Sequence, residues 1–372
     1  MVNPRDRGTW YTARTCPKAL IHRRCGVKQE DVTGDVVGGN RLETMSSPLK
    51  TADVIDGLTA AIEEMQRIIV GQDKVLRHAL AACLAGGHVL FEDVPGTGKT
   101  TLAATMAKVM GLHFTRVQGT PDLLPSELVG TMVFRPDKAE FEFRAGPVFT
   151  QVLLMDEVNR ATPRTQSALL EAMSEQQVTV DGVTRRLDAP FFVMATANPL
   201  ESQGVFPLPE AQLDRFLVQL RLGYVSLEDE LEMVRRIRLR LPIDPKAVLN
   251  VQKVLEARTV TRNIYVAEDL IHYIVELCRA SRVHDEIALG ASPRSVLYLT
   301  SFCQALALLS GRDYILPDDV KEAWLPVMRH RMVLRSGWNP DDGVNGSQVD
   351  NILNDVLHQV AVPTEIEYGA HE

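Results

Sequence analysis

One loop constrains this chain more than any other feature. Val94-Pro95-Gly96-Thr97-Gly98-Lys99-Thr100 follows the apolar run Val89-Leu90-Phe91 and leads into a helical pattern over residues 102–110. A strand that passes through glycines into a helix start suits a phosphate: the glycines let backbone N–H groups approach its oxygens, and the helix N-terminus adds partial positive charge. In that setting Lys99 reaches the β and γ phosphates of ATP and Thr100 binds Mg²⁺. Pro95, Gly96, Thr97, Gly98 and Thr101 complete the expected nucleotide-binding set. Asp93 stands where the strict pattern has glycine. The alternative is a glycine-rich turn with an incidental Lys-Thr.

A second signal follows downstream, where Val152-Leu153-Leu154-Met155 runs into Asp156-Glu157. A buried strand that ends in two acids at the carboxyl edge of a sheet puts one carboxylate at the metal and the other beside the γ-phosphate. Asp156 is expected to hold Mg²⁺, directly or through water, and Glu157 to polarise the attacking water.

The rest of the chain supplies the frame for these two motifs. Short apolar strands expected at 88–92, 113–118, 152–156, 191–196 and 216–220 alternate with helical patterns, which implies a parallel sheet with helices on both faces. Beyond Gly223 only helices are expected, at 227–239, 245–257, 267–282, 292–309 and 317–333. The organisation read from this is an extension over 1–50, an α/β core over 51–222, an all-helical lid over 223–336 and a tail over 337–372 with a short helix near 349–359. Two alternating segments, 131–143 around Pro136-Asp137-Lys138-Ala139 and 178–184 around Asp181-Gly182, read as hairpins.

The first 50 residues lack core-forming periodicity and hold nine Lys or Arg against five Asp or Glu, so the acidic excess behind the net charge of −8 lies in the rest. They are read as a disordered extension dispensable for catalysis, with Met45 the working start; a functional arm or a targeting segment are the alternatives. An acidic body argues against broad nucleic-acid binding. No stretch approaches the ~18 apolar residues of a membrane helix, so no membrane insertion is expected. Five scattered cysteines form neither a disulfide framework nor a CxxC metal pattern, and a reducing cytoplasm is the expected setting.

Several motifs together resemble the MoxR family of AAA+ ATPases over residues 52–335. They are Ile69-Val70-Gly71-Gln72, Glu92-Asp93-Val94-Pro95-Gly96, Asp156-Glu157-Val158-Asn159-Arg160-Ala161, Gln166-Ser167-Ala168-Leu169-Leu170-Glu171-Ala172-Met173, Ala195-Thr196-Ala197-Asn198-Pro199 and Pro207-Leu208-Pro209-Glu210-Ala211-Gln212-Leu213-Asp214-Arg215-Phe216. The resemblance implies an AAA+ P-loop domain with a five-stranded parallel sheet, followed by the lid. It implies that Asn198 is the sensor that holds the attacking water or reads the γ-phosphate, with an Asn capping a Pro-containing turn as the alternative. Arg215 matches the arginine finger that serves a neighbouring subunit, and the alternative is an ion pair to an acid such as Asp214. Arg294 matches a second sensor whose guanidinium lid closure brings to the γ-phosphate, against an ordinary helix-start arginine. Val70 and Gly71 match the segment beside adenine, against a simple helix break. The hairpins match elements that face a ring axis, against ordinary surface hairpins.

The resemblance therefore implies a homo-oligomer, a hexameric ring, that hydrolyses ATP to remodel or mature a protein partner. That work is chaperone-like, on proteins with von Willebrand factor A (VWA) domains, often in metal-cofactor insertion. A nucleic-acid-acting ring ATPase, kept open by Arg135, Lys138 and Arg144, and a magnesium-chelatase-type ATPase subunit are the alternatives.

Overall fold

The computed structural model describes residues 51–92, 96–198, 204–239, 244–335 and 347–363. The extension over 1–50, Asp93, Val94, Pro95, Pro199 and the tail segments 337–346 and 364–372 lie outside the described residues.

Helices α1 (Thr51–Gln66) and α2 (Asp73–Leu84) precede strand β1 (Val89–Glu92), helix α3 (Lys99–Val109) and strand β2 (Phe114–Gln118). Helix α4 (Pro125–Val129) then leads into hairpin β3 (Gly130–Arg135) and β4 (Glu140–Ala145), strand β5 (Val152–Asp156) and helix α5 (Pro163–Glu175). A second hairpin, β6 (Gln177–Val180) and β7 (Val183–Arg186), comes before strand β8 (Phe192–Ala197), helix α6 (Glu210–Leu213) and strand β9 (Val218–Leu220). The chain ends in α7 (Leu227–Arg238), α8 (Val251–Arg262), α9 (Glu268–Val283), β10 (Ile287–Leu289), α10 (Pro293–Leu309), α11 (Pro317–Met328), β11 (Val333–Leu334) and α12 (Ser347–Gln359).

Five parallel strands form the central sheet in the order β2-β5-β8-β1-β9. Strands buried on both faces read as continuous apolar runs, and alternation sorts their side chains between two cores. Val89, Phe91, Val152, Leu154, Phe192 and Met194 join one buried cluster, which continues into α1, α2, α3 and the C-terminal helices. Leu90, Leu153, Met155, Val193 and Ala195 join the other, against α4, α5 and β6. The strand order brings the carboxyl ends of β1, β5 and β8 side by side, with Gln118 in register with Asp156 and Glu92 with Ala197.

The helical region shares a buried cluster with the sheet rather than standing apart. His78 on α2 meets Glu322 on α11 at 2.8 Å, Arg77 donates to the carbonyls of Leu306 and Leu309, and buried Arg258 donates to the carbonyl of Cys83 at 2.8 Å. Three features differ from the sequence expectation. Helix α8 starts at Val251 instead of 245, because Asn250 caps it by accepting from the Lys253 N–H while Val248 and Leu249 donate to the Val109 carbonyl. It runs on past 257 because Arg258 and Thr261 are buried, which overrides weak local propensity. The last expected helix stops at Met328, and the chain turns through Arg329–Arg331 into β11, which pairs antiparallel with β10. Strands of three and two residues are too short to show a period.

Candidate nucleotide site

The strand order gathers most of the expected site into one cleft of about 370 Å³, lined by residues that include Gly96, Lys99, Thr100, Asp156, Glu157 and Asn198. Thr97, Gly98 and Thr101 border it as well. Gly98 caps α3 with φ at 90°, a left-handed conformation that glycine adopts without the Cβ penalty. The helix therefore starts at Lys99, which places its N-terminal turn, the positive end of its dipole, at the cleft lined by Gly98, Lys99, Thr100 and Thr101.

At the carboxyl end of β5 the two acids are held differently. Asp156 Oδ2 accepts from Arg116 Nε at 2.6 Å, and its Oδ1 accepts from the Thr196 hydroxyl at 3.3 Å. Glu157 has a left-handed backbone, φ 53° and ψ 52°, and its N–H donates to the Thr196 Oγ1 at 2.8 Å. Its Oε2 accepts from Gln118 Nε2 at 2.8 Å and from Arg160 Nη1 at 3.0 Å. Asn198 stands at the end of β8, and its carbonyl accepts from Asn159 Nδ2 at 3.2 Å.

Arg116, Gln118 and Gly119 belong to this site and are not visible in a motif search, and Thr196, which lies within the Ala195–Pro199 motif but is given no role by it, joins them. Their positions at the ends of β2 and β8 follow from the strand order, which depends on long-range pairing. Gly119 is needed for space: a Cβ there would lie 2.3 Å from the Glu157 carbonyl oxygen.

The remaining expected residues are elsewhere. Arg215 and Arg294 line a second cleft of about 250 Å³, together with residues that include Ser174, Gln176, Tyr298 and Ser301. Arg215 does not pair with Asp214; its Nη1 donates to the Leu170 carbonyl at 2.6 Å and to Ser174 Oγ at 2.9 Å. Asp214 instead faces Arg331 at 2.9 Å and Arg294 at 3.9 Å. Val70 and Gly71 lie in the turn between α1 and α2, outside the described lining of the first cleft. A Cβ on Gly71 would meet the Asp229 carboxylate at 2.6 Å, and the neighbouring Gln72 donates to the Leu222 carbonyl at 3.0 Å.

The hairpins form as the alternation implies. Asp181 and Gly182, with φ 50° and 77°, make the turn between β6 and β7. At the other hairpin Phe134 and Phe141 face each other across the ladder at 5.3 Å and are 50% and 66% exposed. Arg185 of the second hairpin lies 3.8 Å from the ring centre of Phe143 on the first. Arg135 is engaged by Asp137 at 3.0 Å and Glu142 at 3.2 Å.

No cluster of three or more His, Cys, Asp or Glu side chains that could hold a metal is present among the described residues. Mg²⁺ bound with a nucleotide needs only one or two carboxylates, with phosphate and water oxygens completing its shell. The hard oxygens of Thr100 and Asp156 in the same cleft fit that requirement. Among the described residues no helix is long and apolar enough to cross a membrane.

Residues 88–218 match the family described as "ATPase family associated with various cellular activities (AAA)", and residues 279–354 match the AAA lid domain. The chain is 42% identical over 315 residues to chaperone MoxR1 of Mycobacterium tuberculosis, covering 82% of each chain. It is 43% identical over 309 residues to the Bacillus subtilis protein YeaC, covering 83% of this chain and 95% of YeaC. A solved candidate ATPase from Cytophaga hutchinsonii superposes with a TM-score of 0.77 at 38% identity, covering 84% of this chain and 97% of that one.

Proposed function

Because the chain belongs to the MoxR family of AAA+ ATPases, we propose that it binds ATP in the first cleft, hydrolyses it within a ring of identical subunits, and uses the cycle to remodel a protein partner. Lys99 and the N–H groups at the start of α3 neutralise phosphate charge, and Asn198 orients the γ-phosphate or the attacking water. Thr100 and Asp156 would hold Mg²⁺, which would supply further charge neutralisation at the phosphates. Glu157 acts on the attacking water, and the bonds from Gln118 and Arg160 hold its carboxylate where water can reach it. Val70 and Gly71 sit beside adenine in this reading.

The observation that carries the ring is the separation of the arginines from the phosphate cleft. Arg215 and Arg294 line a cleft of their own. A cation that stabilises the transition state must reach a γ-phosphate: in this reading Arg215 serves a neighbour's site, while closure of the lid brings Arg294 to the γ-phosphate. A surface that meets a different surface on the next copy closes into a ring, here a hexamer. The exposed Phe134 and Phe141, beside an Arg135 already engaged by acids, favour a protein client over nucleic acid. VWA-domain proteins are the client class that the family resemblance implies, and the buried free thiols of Cys83, Cys278 and Cys303 suit work in the cytoplasm.

Two substitutions test the site. Lys99→Ala should lose ATP binding by calorimetry while keeping its fold. Glu157→Gln should bind ATP normally and turn over at least ~100-fold more slowly, the scale expected for a general base. Unchanged affinity in the first, or unchanged turnover in the second, would reject the assignment.

A further inference from the structure

The turn between α6 and β9, which carries Arg215, is held from the helical region by two buried side chains that no motif marks. Arg331, whose side chain is 2% exposed, lies just after α11. Its Nε donates to Asp214 Oδ1 at 2.9 Å, Nη2 donates to the carbonyls of Phe216 at 2.5 Å and Asp214 at 3.4 Å, and Nη1 donates to those of Leu217 at 3.2 Å and Val327. All five N–H protons of the guanidinium thus have an acceptor within reach. The Phe216 carbonyl also accepts from His330 Nε2 at 3.0 Å, and the Tyr298 ring lies 5.0 Å from the guanidinium carbon.

Four of the five Arg331 bonds end on the residues that flank Arg215 in sequence, on both sides of it. The fifth ends on α11. A guanidinium can do this because its donors are fixed in a plane; an ammonium has three donors on a point charge and cannot span the same acceptors. Burying a cation is costly unless it is fully bonded, so the fork holds the turn and the helical region in one fixed relation. Arg215 itself touches only the Leu170 carbonyl and Ser174 through its described side-chain bonds, so its aim depends on its backbone.

We propose that Arg331, assisted by His330, is a positioning residue that sets the aim of Arg215 and ties it to the position of the helical lid. This rests on the reading of Arg215 as a finger acting on a neighbouring subunit. A lid that moves with the nucleotide in its own subunit then moves the cation offered to the next site.

The test is a double-mutant cycle on the full-length protein with Arg331→Lys and Arg215→Ala, read as kcat and KM for ATP and as melting temperature. Arg331→Lys should lower kcat about 10-fold to 100-fold, as misplacement of a reacting group by an ångström does, with KM unchanged. In the Arg215→Ala background the same change should cost nothing further. Mixing Arg331→Lys with Glu157→Gln subunits should recover activity, because an intact finger from the second chain serves the intact Glu157 of the first. If Arg215→Ala alone leaves kcat unchanged, the finger reading falls. If Arg215→Ala lowers kcat but Arg331→Lys lowers it by the same factor in both backgrounds, or mixing restores nothing, the positioning role falls while the finger stands. Should Arg331→Lys not fold, His330→Leu removes one donor to the same carbonyl. It should give a smaller loss of kcat that vanishes in the Arg215→Ala background, and a loss that persists there overturns the proposal.

Discussion

Glu157 occupies a backbone conformation, φ 53° and ψ 52°, that costs a residue with a Cβ on the order of 1 kcal/mol. The surroundings offset that cost at three points. Thr196 accepts the Glu157 N–H, the Gly119 N–H donates to the Asp156 carbonyl at 2.6 Å, and Gln118 and Arg160 bind the carboxylate. The result is a carboxylate turned into the cleft beside Asp156 rather than onto the opposite face of the sheet. Gly119 is the residue on which this arrangement is most exposed to change. Its missing Cβ leaves room for the Glu157 and Asp156 carbonyls, and neither backbone oxygen can retreat without moving the two acids. Gly119→Ala should therefore destabilise the fold by about 1–3 kcal/mol, as overpacking does, and reduce turnover while ATP still binds. Denaturant unfolding and ATPase assays on the same preparation check both; a variant equal to wild type would show that the turn has slack.

At the scale of elements, the sheet and its motifs were legible because parallel strands leave the strongest pattern a sequence can carry. Residues 152–156 emerge with the expected bounds, since every one of their side chains is buried. The Asp181-Gly182 hairpin was legible because its turn demands residues that tolerate positive φ. What stayed hidden depends on partners far along the chain. Arg116 and Gln118 read as ordinary strand residues until β2 pairs with β5, and Arg331 reads as one more arginine in a helix until its acceptors come from residues 214–217. The tail was expected to be loop-like around a short helix, yet α12 buries Ile352, Leu353 and Val356, and the Trp324 indole N–H donates to the Leu353 carbonyl at 2.8 Å. Arg329 grips Asp350 on the same helix at 2.6 Å. Helix α12 is thus part of the packed body. Leu353→Ala should cost about 2–5 kcal/mol, the range for a fully buried leucine, measured by urea unfolding. A loss below ~1 kcal/mol would mean that α12 docks without contributing to the core.

Across the whole molecule, burial sets how stability responds to acid. His88, fully buried between the sheet and α5, accepts from the Val193 N–H and donates to the Met173 carbonyl, and burial pulls its pKa down to about 4 from the usual 6.5. His330 is pushed down for the same reason, with Arg331 adding to it. Between pH 6.5 and 4 the unfolded chain takes up a proton at His88 that the folded chain refuses. The His88 contribution is present above pH 6.5 and is lost as the pH drops through that window. By linkage His88 alone should remove about 2 kcal/mol between pH 7 and pH 5, and His88→Gln should flatten the profile by that amount; an unflattened profile would place the acid sensitivity elsewhere. The central claim concerns assembly: the phosphate cleft and the arginine that completes it belong to different subunits. Mixing Arg215→Ala with Glu157→Gln subunits tests it most directly, since each alone is strongly impaired for a different reason. The account predicts that subunit-exchanging mixtures regain ATPase activity, because an intact Arg215 from one chain meets an intact Glu157 in the other. Mixtures that stay as impaired as the two parents, with light scattering reporting a monomer in ATP, would contradict it.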